Sequence, residues 1–392
     1  MNQKARFLSR RTFHRSVAVT GLSLLGQTPL AHADTPDHDL RVISKTPQYY
    51  NGWPTLTRRS SGQLIVVWSG GREQHVCPFG RVEMMRSDDN GETWTWPRTI
   101  LDGAGDDRDA GITETAKGTL LVTTFTSLAY EPGLRAAMKR STEDPAAWPT
   151  EKLDRWNSVH HRISEQQRQA ELGEWMIRST DGGITWSERY PTIVNSPHGP
   201  TQLADGRLLY AGKQLWTKER KIGVSQSSDD GASWQWLSEI PTRDGDSVQN
   251  YHELHAIETD NGKIIVQIRN HNAKNKGETL QCESTDGGET WTMPHSIGVW
   301  GLPSYLTKLR DGRLLMSYGH RRQPFGNQAR VSDDEGATWG DPILISDDGA
   351  NGDLGYPSTA QLDDGSLLSV WYEAMQGHSK AVLRQAHWRL ND

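Results

Sequence analysis

The sequence predicts an all-β chain closed into a six-bladed β-propeller, with one helical insertion in the region of the second blade. Three observations carry this. A Ser-x-Asp-x-Gly-x-Thr/Ser-Trp phrase occurs five times. A glycine followed by apolar strand residues occurs six times. The two phrases interleave, with most steps near the blade-sized spacing of roughly 50 residues.

The Asp phrases begin at Ser87, Ser179, Ser227 or Ser228, Ser284 and Ser332, and end at Trp94, Trp186, Trp234, Trp291 and Trp339. Each reads as a hairpin turn. The carboxylate accepts backbone N–H groups inside the turn, and the glycine takes a positive φ. The Trp restarts a strand and buries a large ring. The glycine phrases start at Gly62, Gly118, Gly206, Gly262, Gly312 and Gly365. Each opens another hairpin, so one unit holds four short antiparallel strands. The last unit lacks an Asp turn. Its outer strand is expected from Ala381–Leu390, or from Leu40–Ser44 closing the ring.

The long step from Gly118 to Gly206 marks the insertion, over residues 131–173. Arg162–Leu172 within it has helix-forming composition. Two readings stay open: a solvated surface hairpin, or a lid over one face. His160 and His161 read as surface residues.

Residues 1–33 read as a leader rather than as fold. A twin-arginine phrase, Ser9-Arg10-Arg11-Thr12-Phe13, is followed by an apolar run from Val17 to Leu25 and by Ala31-His32-Ala33. The expectation is cleavage before Asp34, a propeller over residues 34–392, and a periplasmic or secreted product. The apolar run is too short for a stable span, and no Cys follows for a lipid anchor. The net charge of −6 and the absence of a basic stretch in the mature chain argue against a nucleic-acid partner. Cys77 and Cys282 are too few for a disulfide scaffold and read as buried thiols. The sequence carries no oligomer signal.

Beyond the repeats, the chain resembles the sialidase (neuraminidase) superfamily. That resemblance implies three arginines on a sugar carboxylate, a Tyr nucleophile, a Glu that takes its proton, and an Asp acid/base. The chemistry explains the set: a carboxylate nucleophile would be repelled by the substrate's own carboxylate, so a neutral phenol attacks. A phenol attacks poorly until its proton is drawn off. Tyr251-His252-Glu253-Leu254-His255 leads into the segment ending at Arg269, and Glu253 and Arg269 match the family's Glu and second arginine. Gly355-Tyr356-Pro357-Ser358-Thr359 resembles the nucleophile segment, with Tyr356 the candidate. Arg321 or Arg322 matches the last arginine in preference to Arg330. Glu373 is a candidate to orient an arginine.

Two departures stand out. Gly52-Trp53-Pro54 replaces the family's Arg-Ile-Pro, so the first arginine is absent, and Arg72, Arg81 or Arg108 is left to compensate. No Asp follows Gly70-Gly71-Arg72; His75 falls nearest its place and is able to transfer protons near neutrality. Asp109, in the charged run Asp106-Asp107-Arg108-Asp109, is the other acid/base candidate. His198, His252 and His255, with His75, read as lining the channel, with His198 and His255 expected to contact the substrate.

No histidine or cysteine spacing matches a zinc site, so the expected metal is none. No phosphate loop or dinucleotide pattern is present, so the expected cofactor is none. The resulting expectation is an exported, exo-acting glycosidase acting on a glycan. A propeller polysaccharide lyase on uronates and a non-catalytic glycan binder are the alternatives.

Overall fold

Each glycine phrase folds as the hairpin between the first and second strands of a blade. The turn glycines have φ between +78° and +89° at all six positions, where a Cβ would be strained. Each Asp phrase links the third strand to the fourth. In the first, Asp89 accepts from the Thr93 N–H at 2.9 Å and the Thr93 hydroxyl at 2.5 Å. The Ser87 hydroxyl donates to Asp89 and accepts from the Gly91 N–H. The third phrase uses Ser227 as its serine.

The Trp rings reach the preceding blade. Trp94 donates to Gln385, Trp291 to Ser238 and Trp339 to Gln281. Only Trp94 is fully buried; the other four are half-buried. The phrases therefore staple blade to blade. They do not all restart a strand, since the outer strand of the first blade begins only at Arg98.

A computed structural model describes residues 39–390. In it the strands form six four-stranded antiparallel sheets, the blades of a propeller. The innermost strands of successive blades are Tyr50–Arg58, Asp106–Glu114, Thr201–Gln202, Tyr251–Glu258, Ser304–Lys308 and Leu354–Gln361. The sixth blade takes three strands from the end of the chain. Its fourth is Asp39–Val42, which pairs with Val382–Trp388 in the register Leu40↔Ala386. Both candidates for the outer strand are thus used, one as third strand and one as fourth. The leader expected over residues 1–33 lies outside the described residues.

Apolar side chains fill the seams between blades. Ile65, Val67 and Met84 of the first blade meet Ile112, Leu120 and Val122 of the second, all buried. Each such side chain contributes about 1.5–3 kcal/mol by leaving water. Cys77 and Cys282 are free thiols buried in separate clusters.

Four inner strands carry a one-residue register slip at the same level. The slips fall between Gly52 and Thr55, Arg108 and Gly111, His252 and Leu254, and Gly355 and Ser358. Trp53, Asp109 and Tyr356 occupy three of them with φ of +55°, +54° and +54°. Non-glycine residues rarely adopt that region, and each such residue costs on the order of 1–3 kcal/mol. A bulge re-aims the side chain it carries. Here the bulged side chains are Trp53, Asp109, Glu253 and Tyr356.

The insertion forms three helices in the second blade, α1 (Glu131–Met138), α2 (Thr150–His160) and α3 (Glu165–Ala170). Helix α3 starts at a capping box in which Ser164 and Gln167 satisfy each other's backbone N–H. The insertion is not a solvated hairpin. Tyr130, Leu134 and Trp156 bury against Cys77, with Val76 and Phe79 alongside. Glu73 accepts from Arg155 at 2.7 Å and Trp156 at 2.8 Å. The helices thereby buttress the loop from Glu73 to Gly80, which carries His75. His160, expected at the surface, is buried against Tyr130 and Glu131, whereas His161 is exposed.

Candidate active site

Residues distant in sequence meet where the bulged inner strands converge. The Tyr356 hydroxyl of the sixth blade donates to Glu253 of the fourth at 2.5 Å. Arg269, one strand out from Glu253, donates to Glu253 at 2.9 Å and to the Tyr356 oxygen at 3.0 Å. The pairing of His252 with Arg269 across the hairpin brings the Glu and the Arg together. Arg269 is itself steadied by a bond to His271 at 2.9 Å.

The electrostatics follow from this packing. Burial pushes the Glu253 carboxyl up, but the Arg269 guanidinium more than offsets it and holds the group at about 2. Glu253 is therefore a carboxylate at neutral pH. Burial and the neighbouring Glu253 anion push the Tyr356 phenol well above its ordinary value. The pair is a neutral phenol on an ionised base.

Of the arginines named from sequence, two reach this centre beside Arg269. Arg321 lies with its guanidinium 5.6 Å from the Tyr356 ring, and its Nε and Nη2 are buried with no protein partner. Arg108 lies 4.5 Å from the Trp53 ring, its Nε also buried and unpartnered. Arg322 turns away: it packs 4.2 Å over Trp300 and donates to His320. Arg330 is held by Tyr318 and the Gly340 carbonyl. Arg81 is paired with Glu83.

Arg72 is corrected from substrate arm to scaffold. It is wholly buried in a two-pronged pair with Asp106, at 2.5 and 2.9 Å, and also donates to the His75 carbonyl. Gly80 lacks a Cβ where this pair passes; one would lie 2.2 Å from the Arg72 guanidinium. Glu373 orients Arg384, which is not a residue of the centre.

Asp109 shares electrostatic contact with Glu253, Arg108 and Arg269. Burial raises its carboxyl to about 6, against the pull of Arg108. Its Oδ1 is buried and unpartnered, as is Oε2 of Glu253. The centre thus combines three guanidinium groups with unsatisfied polar atoms, an arrangement suited to an anionic, hydroxylated ligand.

His198 and His255 are corrected from ligand contacts to a buried layer. The His198 ring lies 6.3 Å from Tyr356, 5.2 Å from His255 and 5.5 Å from Tyr305. Its burial pulls the imidazole down to about 4, so it is neutral. His255 stacks on Tyr305 at 4.3 Å and accepts from the Leu306 N–H. His252 stands beside His271 at 4.9 Å.

His75 lies at the mouth, its side chain 48% exposed. Its Nδ1 is 2.8 Å from the Tyr50 hydroxyl and 3.1 Å from Asp353 Oδ1. Asp353 also accepts from Tyr50 at 2.9 Å and Tyr372 at 3.1 Å. Sequence reading missed Asp353. The available signal was a carboxylate three residues before Tyr356.

Among the described residues, no group of three or more His, Cys, Asp or Glu is placed to hold a metal ion. No described helix is long and apolar enough to cross a membrane.

A BNR repeat-like domain model matches residues 159–368. Over 242 residues the chain is 24% identical to a sialidase of Micromonospora viridifaciens, covering 52% of this chain and 35% of that relative. The chain thus matches about a third of that relative's length. Among solved structures, a protein of unknown function from Dyadobacter fermentans superposes with a TM-score of 0.72 at 21% identity, covering 91% of this chain and 99% of that one. An intramolecular trans-sialidase from Ruminococcus gnavus gives 0.62 at 12% identity, covering 87% and 94%. The NanB sialidase from Streptococcus pneumoniae gives 0.61 at 15% identity, covering 90% and 71%. At such identities the solved structures speak for the fold. With the domain model spanning more than half of the sequence and six blades in place, the chain belongs to the BNR repeat-like family and has the propeller fold of the sialidase superfamily.

Proposed function

We propose that this protein is an exported, exo-acting glycoside hydrolase of sialidase type, which removes a terminal acidic sugar with retention of configuration. One observation carries the reading: a buried phenol donates at 2.5 Å to an ionised carboxylate, and one arginine touches both. A binding protein has no need of a tyrosine whose proton is already directed at a base.

In this reading the sugar carboxylate sits among Arg269, Arg321 and Arg108. The Tyr356 oxygen attacks the anomeric carbon while its proton passes to Glu253. The bond to the leaving oxygen breaks, and that oxygen takes a proton from His75 or Asp109. Water then releases the sugar from Tyr356, which recovers its proton. Two displacements give net retention. Export is supported by the twin-arginine phrase at residues 9–13.

The test is a screen of the purified protein against 4-nitrophenyl glycosides of sialic and related keto acids, alongside uronate polymers read by ultraviolet absorbance. Release of 4-nitrophenol, with proton NMR showing the retained anomer first, is the expected result. An unsaturated, ultraviolet-absorbing product from the polymers, without nitrophenol release, marks a lyase and refutes the hydrolase reading.

A further inference from the structure

At the mouth of the hub, between the first and sixth blades, a second hydrogen-bonded cluster stands beside the nucleophile. Tyr50 and His75 belong to the first blade, Asp353 and Tyr372 to the sixth. The Tyr372 ring packs against Tyr356 at 5.9 Å, Tyr50 at 6.1 Å and Trp53 at 5.9 Å. The Trp53 ring meets His75 edge-on at 4.9 Å. One layer of aromatic rings therefore joins His75 to the nucleophile.

The hydrogen bonds order the protons. Asp353 is an ionised carboxylate: burial pushes it up, but the bonds from His75, Tyr50 and Tyr372 more than offset this and leave it below its ordinary value. Tyr50 and Tyr372 spend their protons on Asp353. The Tyr50 oxygen is left to accept, so the proton between it and His75 belongs on Nδ1. His75 Nε2 is the ring nitrogen without a partner in this cluster, on a half-exposed side chain.

We propose that His75 is the proton donor to the leaving oxygen and that Asp353 is its positioning residue, an inference that rests on the hydrolase reading above. As the anomeric bond to the leaving oxygen breaks, its electron pair goes to that oxygen. Imidazolium Nε2 gives that oxygen its proton. In the second half, neutral Nε2 takes a proton from the attacking water, the bond to the Tyr356 oxygen breaks, and Glu253 returns the proton to Tyr356. Every proton and electron pair is accounted for without a further reactant.

The location decides between His75 and Asp109. In an exo-acting enzyme the leaving group points out of the pocket, so its proton donor belongs at the mouth. His75 is there. Asp109 lies deeper, with Oδ1 shut from solvent among Glu253, Arg108 and Arg269. It serves as an acceptor for the bound sugar. The Asp353 carboxylate does for His75 what a carboxylate does for other catalytic imidazoles: it fixes the tautomer and the orientation of the ring.

The test uses leaving groups of different basicity. The 4-nitrophenyl and methyl ketosides of the keto acid that the wild type hydrolyses are compared by kcat/KM. A proton donor matters for methoxide and little for nitrophenolate. His75→Ala is expected to lose about 10²–10⁴-fold on the methyl ketoside and less than about tenfold on the nitrophenyl one. Asp353→Asn is expected to show the same asymmetry at a smaller fold. Asp109→Asn is expected to lose equally on both ketosides. Equal losses in His75→Ala, or the asymmetry appearing in Asp109→Asn instead, overturn this inference and leave the hydrolase reading standing. Absence of wild-type turnover on every aryl ketoside overturns both.

Discussion

The Tyr356 hydroxyl lies 2.5 Å from Glu253, across the hub from one blade to another, and both side chains sit on bulges of inner strands. Neither bulge is required for pairing the strands. Each adds a residue that the ladder cannot satisfy, and each turns a reactive group toward the other. Strained backbone at Tyr356 is thus offset by the packing that holds it.

Tyr356→Phe removes one oxygen and leaves the ring packed against Tyr372 and His198. Turnover is expected to fall by more than about 10³-fold, with the far-ultraviolet circular dichroism and melting temperature close to wild type. Full activity in that protein removes Tyr356 from the chemistry.

Arg321→Ala leaves Arg269 and its bonds in place but deletes a guanidinium whose Nε and Nη2 have no protein partner. A charge-assisted contact to a carboxylate is worth about 1.5–3 kcal/mol, so kcat/KM on an acidic glycoside is expected to drop roughly 10–150-fold. Arg322→Ala, with its guanidinium over Trp300, is expected to stay within about threefold of wild type. Equal effects in the two variants contradict the assignment of Arg321.

Asp107 offers a pH test away from the centre. It is buried, and burial raises its carboxyl to about 7 despite bonds from the Gly103 N–H and Thr126 hydroxyl. A folded value above the unfolded one means that its stabilising contribution is complete below about pH 4 and is lost as pH rises through 7. Asp107→Asn is expected to remove that loss, gaining on the order of a few kcal/mol at pH 8 relative to pH 4 when compared with wild type. Parallel stability profiles for the two proteins count against a neutral Asp107.

Trp156→Ala tests the insertion as a buttress. The ring is buried against Tyr130, and its indole N–H holds Glu73. Loss of a buried Trp costs about 3–5 kcal/mol, and here the loosened element is the loop carrying His75. Activity on a ketoside with a basic leaving group is expected to fall further than activity on the nitrophenyl ketoside. An equal fall on both means that the insertion acts on stability alone.

Much of the architecture was legible because turns are local. A glycine with positive φ and a carboxylate capping its own turn are written in eight consecutive residues, and repetition turns them into blades. Glu253 and Arg269 were legible only through the resemblance to sialidases, and the structure adds the hairpin across which they meet. What escaped depends on contacts between distant segments. Arg72 read as a free arginine because its partner Asp106 stands in the next blade. Asp353 escaped because its partners, Tyr50 and His75, meet it only when the sixth blade closes on the first. Arg322 and Arg321 are neighbours in sequence, and only the Trp300 ring separates their fates. The bulges that aim Trp53, Asp109 and Tyr356 leave no mark in composition.

The most direct measurement is to trap the intermediate. A ketosyl fluoride of the hydrolysed keto acid, with a second fluorine beside the anomeric carbon, slows both displacements while keeping a good leaving group for the first. Peptide mass spectrometry of the treated protein is predicted to find the sugar on the peptide containing Tyr356, and no adduct in Tyr356→Phe. Turnover of the parent glycoside with no adduct on Tyr356, and with the inverted anomer as first product, contradicts the account.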